Sequence, residues 1–500
     1  MKTARLAKGL VVFFALLYLA TACLAQPQRP PVYVVLWFDT EDYILPPSDD
    51  AAKRIADFLT AQGVQATFKV VGEKARTLQR RGRSDVIAAL RRHDIGYHAN
   101  THSQHPTPAE YESGLDWKTG AQEFTRREQV GFEDVARIFG KTPCCYGQPG
   151  SSWAPQSYPA LRQWGVQLYL DEGTQIGLDG RPFWYGGLLN IFNTREGEQL
   201  RPNDKWNNLE QSKAKFRDIY SHMAAQPSAG LISLYFHPCE FIHQWFWDMN
   251  FANGANPPPS QWKRPLLKSA AEQQQTFAYF EGLVRYMKTF PQVRFITGSQ
   301  AIKLFPDLAH SREFTPSDVR SIAAAVTPDV SFQTRGDYAL SASEVLELLN
   351  AYVAHAITEG ETAVAPLTLH GTPYGPAVDP PQLQQAVNVP WNQFSRTVHD
   401  VADFITRNGQ VPAYVWFGSF AVPPESYLVA LADVATQLLA HQPLPQSVTL
   451  PVARVVAMNY VAQDSPEVWN WPIFPKGFHS AHLMALARLQ AWTLKPALPR

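Results

Sequence analysis

"VYVVLWFDTED", residues 32–42, decides the fold. Val32 to Phe38 form an unbroken apolar run, rich in β-branched and aromatic side chains. An alternating run would mark a strand with one wet face. A continuous run marks a strand covered on both faces, as in a parallel sheet flanked by helices. The run ends in the acids Asp39, Glu41 and Asp42, with Thr40 between the first two. In layered α/β folds the C-terminal ends of parallel strands are where functional side chains gather.

The alternation continues outward from this strand. "SDDAAKRIADFLTAQG" (48–63) reads as a helix, with Ser48 as its cap, acids in the first turn, Ile55, Phe58 and Leu59 on one face, and Gly63 ending it. "VQATFKVVG" (64–72) reads as a strand and "RSDVIAALRRHD" (83–94) as a helix; "VQLYL" (166–170), "GLISLYF" (230–236) and "VRFITGS" (293–299) supply further strands. Such a pattern predicts an α/β fold, layered or barrel-shaped, over 32–305.

At 500 residues the chain is long enough for more than one domain. Its 44 Lys+Arg balance 44 Asp+Glu, so no basic surplus exists to condense on nucleic acid. With 45% apolar and 12% aromatic residues it can bury a large core, which excludes a disordered chain.

Lys2, Arg5 and Lys8 precede the apolar run "GLVVFFALLYLATA" (9–22). At about 14 residues this run is shorter than the about 20 that a membrane-spanning helix needs, so 1–25 reads as an export signal. "ATAC" (20–23) fits cleavage before Cys23 and loosely resembles a lipobox, although the usual Leu three residues before the cysteine is absent. Cleavage after Ala25 and an uncleaved anchor are the alternatives. The expected location is periplasmic or extracellular, with lipid anchoring through Cys23 as one form. Export permits a disulfide from Cys239 to Cys144 or Cys145, with free buried thiols as the alternative.

The chemistry centres on "DIGYHANTHSQHP" (94–106). His98 and His102 are four apart, a spacing that on a helical turn lets both grip one ion. His105 is three further on and fits such a grip less well. A catalytic zinc-type site takes three protein ligands, commonly two histidines and a carboxylate, and leaves a position for water. The acids at 39–42 can supply that carboxylate, and His237 follows another strand. His93 and His243 lack such company and read as surface or structural.

"VLWFDTED", "GVQATFKVVGEKA", "RHDIGYHANTHSQHP" and the later His237–Pro238 pair, in this order, resemble the polysaccharide deacetylase family, the carbohydrate esterases with a NodB-type domain. The resemblance covers 32–305. It implies an irregular (β/α) barrel that removes acetyl groups from N-acetylated sugars with one divalent metal ion. Zinc leads among the candidates, and cobalt, nickel and manganese suit the same ligands. Asp39 matches the general base, His98 and His102 the ligand histidines, and His237 the group that protonates the leaving nitrogen.

The family's metal-binding acid often follows the base directly, where this chain has Thr40. Glu41 lies on the same side of an extended backbone as Asp39 and is preferred as the ligand, with Asp42 its competitor. Ala99 replaces the usual Ser or Thr. The family's Arg-x-Pro motif, whose arginine pairs with the base, is "GQP" (147–149) here, with Gly147 in the arginine's place. Asp171 is offered for the acid that orients the histidine, and a backbone N–H near Tyr146 for the oxyanion. Trp153, Trp184, Tyr185, Trp245 and Trp247 could stack on sugar rings, or pack in the core.

Past a linker at 306–335 the texture changes. "YALSASEVLELLNAYV" (338–353) is an amphipathic helix, and "VPAYVWFGSFAVPPESYLVALADVATQLL" (411–439) is a diverged copy of the same strand–turn–helix unit. They mark 336–500 as a smaller α/β accessory domain whose repeats faintly resemble wall-binding repeats. Three functions fit: an exported metal-dependent deacetylase of peptidoglycan, a chitin-like polymer or exopolysaccharide; a catalytically silent barrel that binds cell-wall glycan; and a metal-dependent hydrolase of a non-sugar amide or O-acetyl ester.

Overall fold

The computed structural model describes residues 30–192, 194, 197, 200–202, 205–226, 228–360 and 365–500; the expected export signal and Cys23 lie outside them. β1 (Val32–Thr40) is buried at every position but Tyr33 and lies inside a curled, parallel-dominated sheet. On one edge it pairs with β2 (Thr67–Val70), and the sheet continues in parallel through β3 (Asp94–Tyr97), β4 (Cys145–Tyr146) and β5 (Leu168–Leu170). The hairpin of β6 (Phe183–Tyr185) and β7 (Leu188–Ile191) joins through β7, which runs parallel to β5. β8 (Gly230–Phe236) covers the other edge of β1, and β9 (Val293–Ile296) pairs with Val32–Val35 below β2. β8 ends the sheet without a further partner among the described residues, so the curl is an open barrel. This is the irregular (β/α) barrel that the family resemblance implied, and one of the two forms, layered or barrel, that the strand–helix pattern allowed.

Helices cover the sheet's faces. α1 (Pro47–Ala61) buries Ile55, Ala56 and Leu59 against it. Ser48 is not its cap: it lies inside the helix, and its hydroxyl donates to the carbonyls of Asp42 (3.0 Å) and Leu45 (2.7 Å). α2 (Gly72–Arg80) and α3 (Trp117–Phe139) cross where both carry glycine. A Cβ on Gly72 would stand 2.8 Å from Gly131 Cα, and one on Gly131 would stand 2.8 Å from Asn100 Cα. The missing side chains let both helices close on the loop after β3.

The stretch 306–335, read as a linker, is folded. Thr315 caps a helix at Pro316–Ala324 that buries Val319, Ile322 and Ala323, a face too short to show a clear period in the sequence. β10 (Gln333–Arg335) and β11 (Tyr338–Leu340) then form a hairpin before α4 (Ala342–Glu359). The later copy has the same plan, with β12 (Val415–Phe417) and β13 (Phe420–Val422) before α5 (Pro424–Leu439). Gly336 (φ +60°) and Gly418 (φ +63°) make the two turns. The helices pack together, and buried Tyr427 donates its hydroxyl to Asn350 Oδ1 at 2.5 Å.

Nor does 336–500 stand apart from the barrel. The last strand, β14 (Lys495–Pro496), pairs antiparallel with β6 and so extends the barrel's own sheet. Tyr185 Oη donates to the Ala487 carbonyl (2.9 Å), and the Gly186 N–H donates to Thr493 Oγ1 (2.8 Å). Lys495 Nζ sits 2.7 Å from Asp307 and 2.8 Å from Glu344. One apolar cluster runs through both parts. Among the described residues no helix is long and apolar enough to cross a membrane.

Candidate active site

The strand ends deliver the side chains. Asp39 and Glu41 come from the end of β1, His98 and His102 from the loop after β3, and His237 directly follows β8. Glu41, His98 and His102 are all buried, with ligand atoms close enough to hold one ion. Glu41 Oε2 lies 2.8 Å from His102 Nε2 and 3.3 Å from His98 Nε2. The far nitrogen of each ring is engaged: His98 Nδ1 donates to the Gly147 carbonyl (3.0 Å), and His102 Nδ1 meets Ser103 Oγ (2.6 Å). A proton kept on Nδ1 would leave each Nε2 free to give its lone pair to an ion held together with Glu41, as a ligand histidine requires.

Trp247 Nε1 donates to the other Glu41 oxygen at 2.8 Å and fixes its rotamer. Burial would raise the Glu41 carboxyl, but His102, His237 and the hydrogen bonds from His102 and His98 outweigh it and hold it well below the usual range. Two imidazoles and one carboxylate suit a divalent ion with open positions.

The histidine loop is not helical. Ala99 (φ +61°) and His102 (φ +57°) both adopt the left-handed conformation, and this tight turn, rather than a helix face, brings the two rings together. α2 and α3 hold the strained loop in place: the Asn100 N–H donates to Glu128 (2.7 Å), and Arg76 donates to Asn100 Oδ1 (2.9 Å).

Asp42 points elsewhere. One of its oxygens accepts the N–H groups of Ile44 (2.8 Å) and Leu45 (3.1 Å), and the other lies 3.3 Å from His243. Of the two competing acids, Glu41 is therefore the one in the cluster. His243, read as surface or structural, is buried, and burial takes it down to about 4, so it is neutral. His105 binds Glu110 (2.7 Å) and the Phe251 carbonyl (3.0 Å) and anchors the loop. His93, also buried, bonds Thr60 and the Ala56 carbonyl.

Beside the cluster, Asp39 Oδ1 is 3.0 Å from Lys69 Nζ, and Asp39 Oδ2 is 3.8 Å from His237 Nε2. Burial would raise the Asp39 carboxyl, but His98, Lys69 and His237 outweigh it and hold it below its ordinary value. Burial would lower His237; Glu41, Glu240 and Asp39 instead raise it to about 9. His237 is thus a cation at neutral pH and Asp39 an anion, the protonation states that a general acid and a general base need.

Glu240 steadies His237, accepting its backbone N–H at 2.9 Å, with its other oxygen 3.6 Å from His237 Nδ1. Asp171, offered for that task, instead accepts from Lys69 (2.5 Å) and from the Glu172 N–H (2.7 Å). Burial pushes its carboxyl well up, while Lys69 pulls the other way.

Two further candidates lie away from the cleft. The Tyr146 ring is buried against Tyr97, Phe124 and Tyr169, and the adjacent Gly147 N–H is spent on the Tyr97 carbonyl (3.1 Å). Neither residue lines the cleft. Trp153 is fully buried against Tyr158 and Tyr185, so it packs the core rather than offering a sugar platform. Cys144, Cys145 and Cys239 are free thiols.

The cleft, about 220 Å³, is lined by Asp39, His98, Asp171, Glu172, Tyr235 and His237, and also by Asn470. Asn470 accepts from Ser151 Oγ (3.0 Å), and neighbouring Trp471 packs edge-on against His102 with ring centres 5.5 Å apart. The sequence reading missed Lys69, Asn470 and Trp471. Lys69 carried one signal, a lone charge inside the apolar strand "TFKV", where a buried charge needs a partner. Nothing local marked the other two.

No family model and no curated protein matches the sequence. Solved structures do match. A Mycobacterium smegmatis protein described as a polysaccharide deacetylase is 16% identical, over 56% of this chain and 92% of that one, with a TM-score of 0.36. The Bc1960 peptidoglycan N-acetylglucosamine deacetylase is 14% identical, over 54% and 87%, with a TM-score of 0.29. Puue allantoinase is 11% identical, over 55% and 91%, with a TM-score of 0.37. Likeness at this level carries nothing about activity, which rests on the geometry of the cleft.

Proposed function

We propose that this chain is a metal-dependent hydrolase that removes the acetyl group from an N-acetylated glycan. One observation carries the reading: three separate strand ends bring Asp39, His98 and His237 to a single cleft, and His98 converges with buried Glu41 and His102 directly behind it. A divalent ion held by Glu41, His98 and His102, zinc first among the candidates, would polarise the acyl carbonyl and acidify a water. Asp39 takes the proton of the water that adds to the carbonyl carbon. His237 gives its proton to the amide nitrogen as the C–N bond breaks, leaving acetate and a free amine. Export through the signal in 1–25, with lipidation at Cys23 as one form, belongs to the same proposal.

Asn470 closes one side of the cleft, and a volume of about 220 Å³ favours a chain end or a small amide over the interior of a long polymer. Acetate release from zinc-loaded protein tests both readings across short chitooligosaccharides, peptidoglycan fragments, the intact polymers and small acetamides. Turnover of the short substrates is expected, and Asp39→Asn should lower it by about a hundredfold or more while the protein stays folded. If zinc binds but no acetylated glycan or amide is ever cleaved, the hydrolase reading fails and the silent barrel replaces it.

A further inference from the structure

We propose that Lys69 is the positioning residue for the base, a cation delivered from β2 into the space that a side chain at position 147 would otherwise fill. The inference rests on the hydrolytic reading of the cleft. Lys69 is wholly buried, with its ammonium 3.0 Å from Asp39 Oδ1 and 2.5 Å from Asp171 Oδ2, over the Trp37 ring at 4.2 Å. Two glycines make its slot. A Cβ on Gly96 would stand 2.8 Å from Lys69 Cγ, and one on Gly147 would stand 2.0 Å from the ammonium and 2.1 Å from Asp171 Oδ2. Gly147 has no left-handed backbone to explain it, so its missing side chain serves space alone. The ammonium and any side chain at 147 exclude each other.

The consequence for chemistry lies in which oxygen each partner takes. Lys69 engages Asp39 Oδ1, and Oδ2 is left on the His237 side. One wall of the slot is the Gly147 backbone, whose carbonyl also holds His98 Nδ1. The same strand end thus sets the tilt of a ligand histidine and the seat of the cation. A lysine that merely neutralised buried carboxylates would not decide the direction of the Asp39 carboxylate.

The test is Lys69→Met in the full-length, zinc-loaded protein, with metal content, kcat, KM and a crystal structure as readouts. We expect unchanged zinc content, a KM within about threefold, a kcat lower by about a hundredfold, and an Asp39 carboxylate rotated from its present plane. Ethylammonium should restore part of the rate of Lys69→Ala, which a purely structural role would not allow. Should Lys69→Met leave two buried acids too costly to fold, the Lys69→Met/Asp171→Asn double variant removes one of them and still lacks the ammonium. A kcat within about threefold of the parent, or an unmoved Asp39 in either variant, overturns the proposal. If the parent itself cleaves nothing, the hydrolytic reading falls, while the Asp39 orientation still decides the positioning role.

Discussion

His98 and His105 sit seven residues apart on one loop and do different work, which a metal titration can separate. His98→Ala removes one of three converging ligand atoms and should abolish zinc binding, read as metal content after dialysis. His105→Ala cuts a loop anchor to Glu110 and should leave zinc bound; the reverse pattern would overturn the assignment. His237 gives a second prediction. In metal-free protein its imidazole should titrate at about 9 by NMR, with the proton lost as pH rises through that value. Zinc should lower the value, because the ion neutralises the Glu41 charge that helps to raise it. At this scale Asp39, His98 and His237 were legible because each ends or directly follows an apolar run, and His102 because it stands four residues from His98. The choice of Glu41 over Asp42 was not legible. It depends on Trp247 reaching one acid and on backbone N–H groups claiming the other.

Among the elements, the turn after β4 and the final strand matter most. Gly150 (φ +50°) lies against the Trp471 indole, and a Cβ there would stand 2.3 Å from the ring. Gly150→Ala should displace Trp471 and with it the adjoining Asn470 of the cleft wall, and raise KM for short substrates, with a stability loss of about 1 kcal/mol from the positive φ. The final strand is tied by Lys495. Burial would raise the Glu344 carboxyl, but Lys495 and His310 hold it far below the usual range. This contribution to stability is present at neutral pH and is lost as pH falls through the folded-state value. Lys495→Met should cost about 3 kcal/mol in urea denaturation at pH 7, because it strands a buried carboxylate. The apolar runs located the strands of the sheet and the amphipathic pattern located α4 and α5. The histidine loop was misread as a helical turn, because i, i+4 spacing cannot distinguish a helix from a turn with two left-handed residues.

At the scale of the whole molecule, the barrel and the C-terminal region share one sheet and one apolar cluster, so they are expected to fold together. A chain ending at residue 305 would lose the strand that pairs with β6, the Lys495 tie and Asn470 from the cleft wall. It should be unstable or insoluble, and whatever remains folded should lose activity, as circular dichroism and acetate release can check. A truncated barrel with full stability and turnover would contradict this coupling.

The sequence by itself determined an α/β fold with a parallel sheet, several of its strands and the acids and histidines near their ends. Local periodicity and the need to cover both faces of a parallel strand are properties of short stretches. Tertiary structure alone decided three things: that Glu41 lies with the histidine pair, that a lysine two strands away from position 147 occupies the space left there, and that Asn470 lines the cleft. Each depends on contacts between stretches far apart in the chain, where closeness is set by how the sheet curls and not by any local pattern.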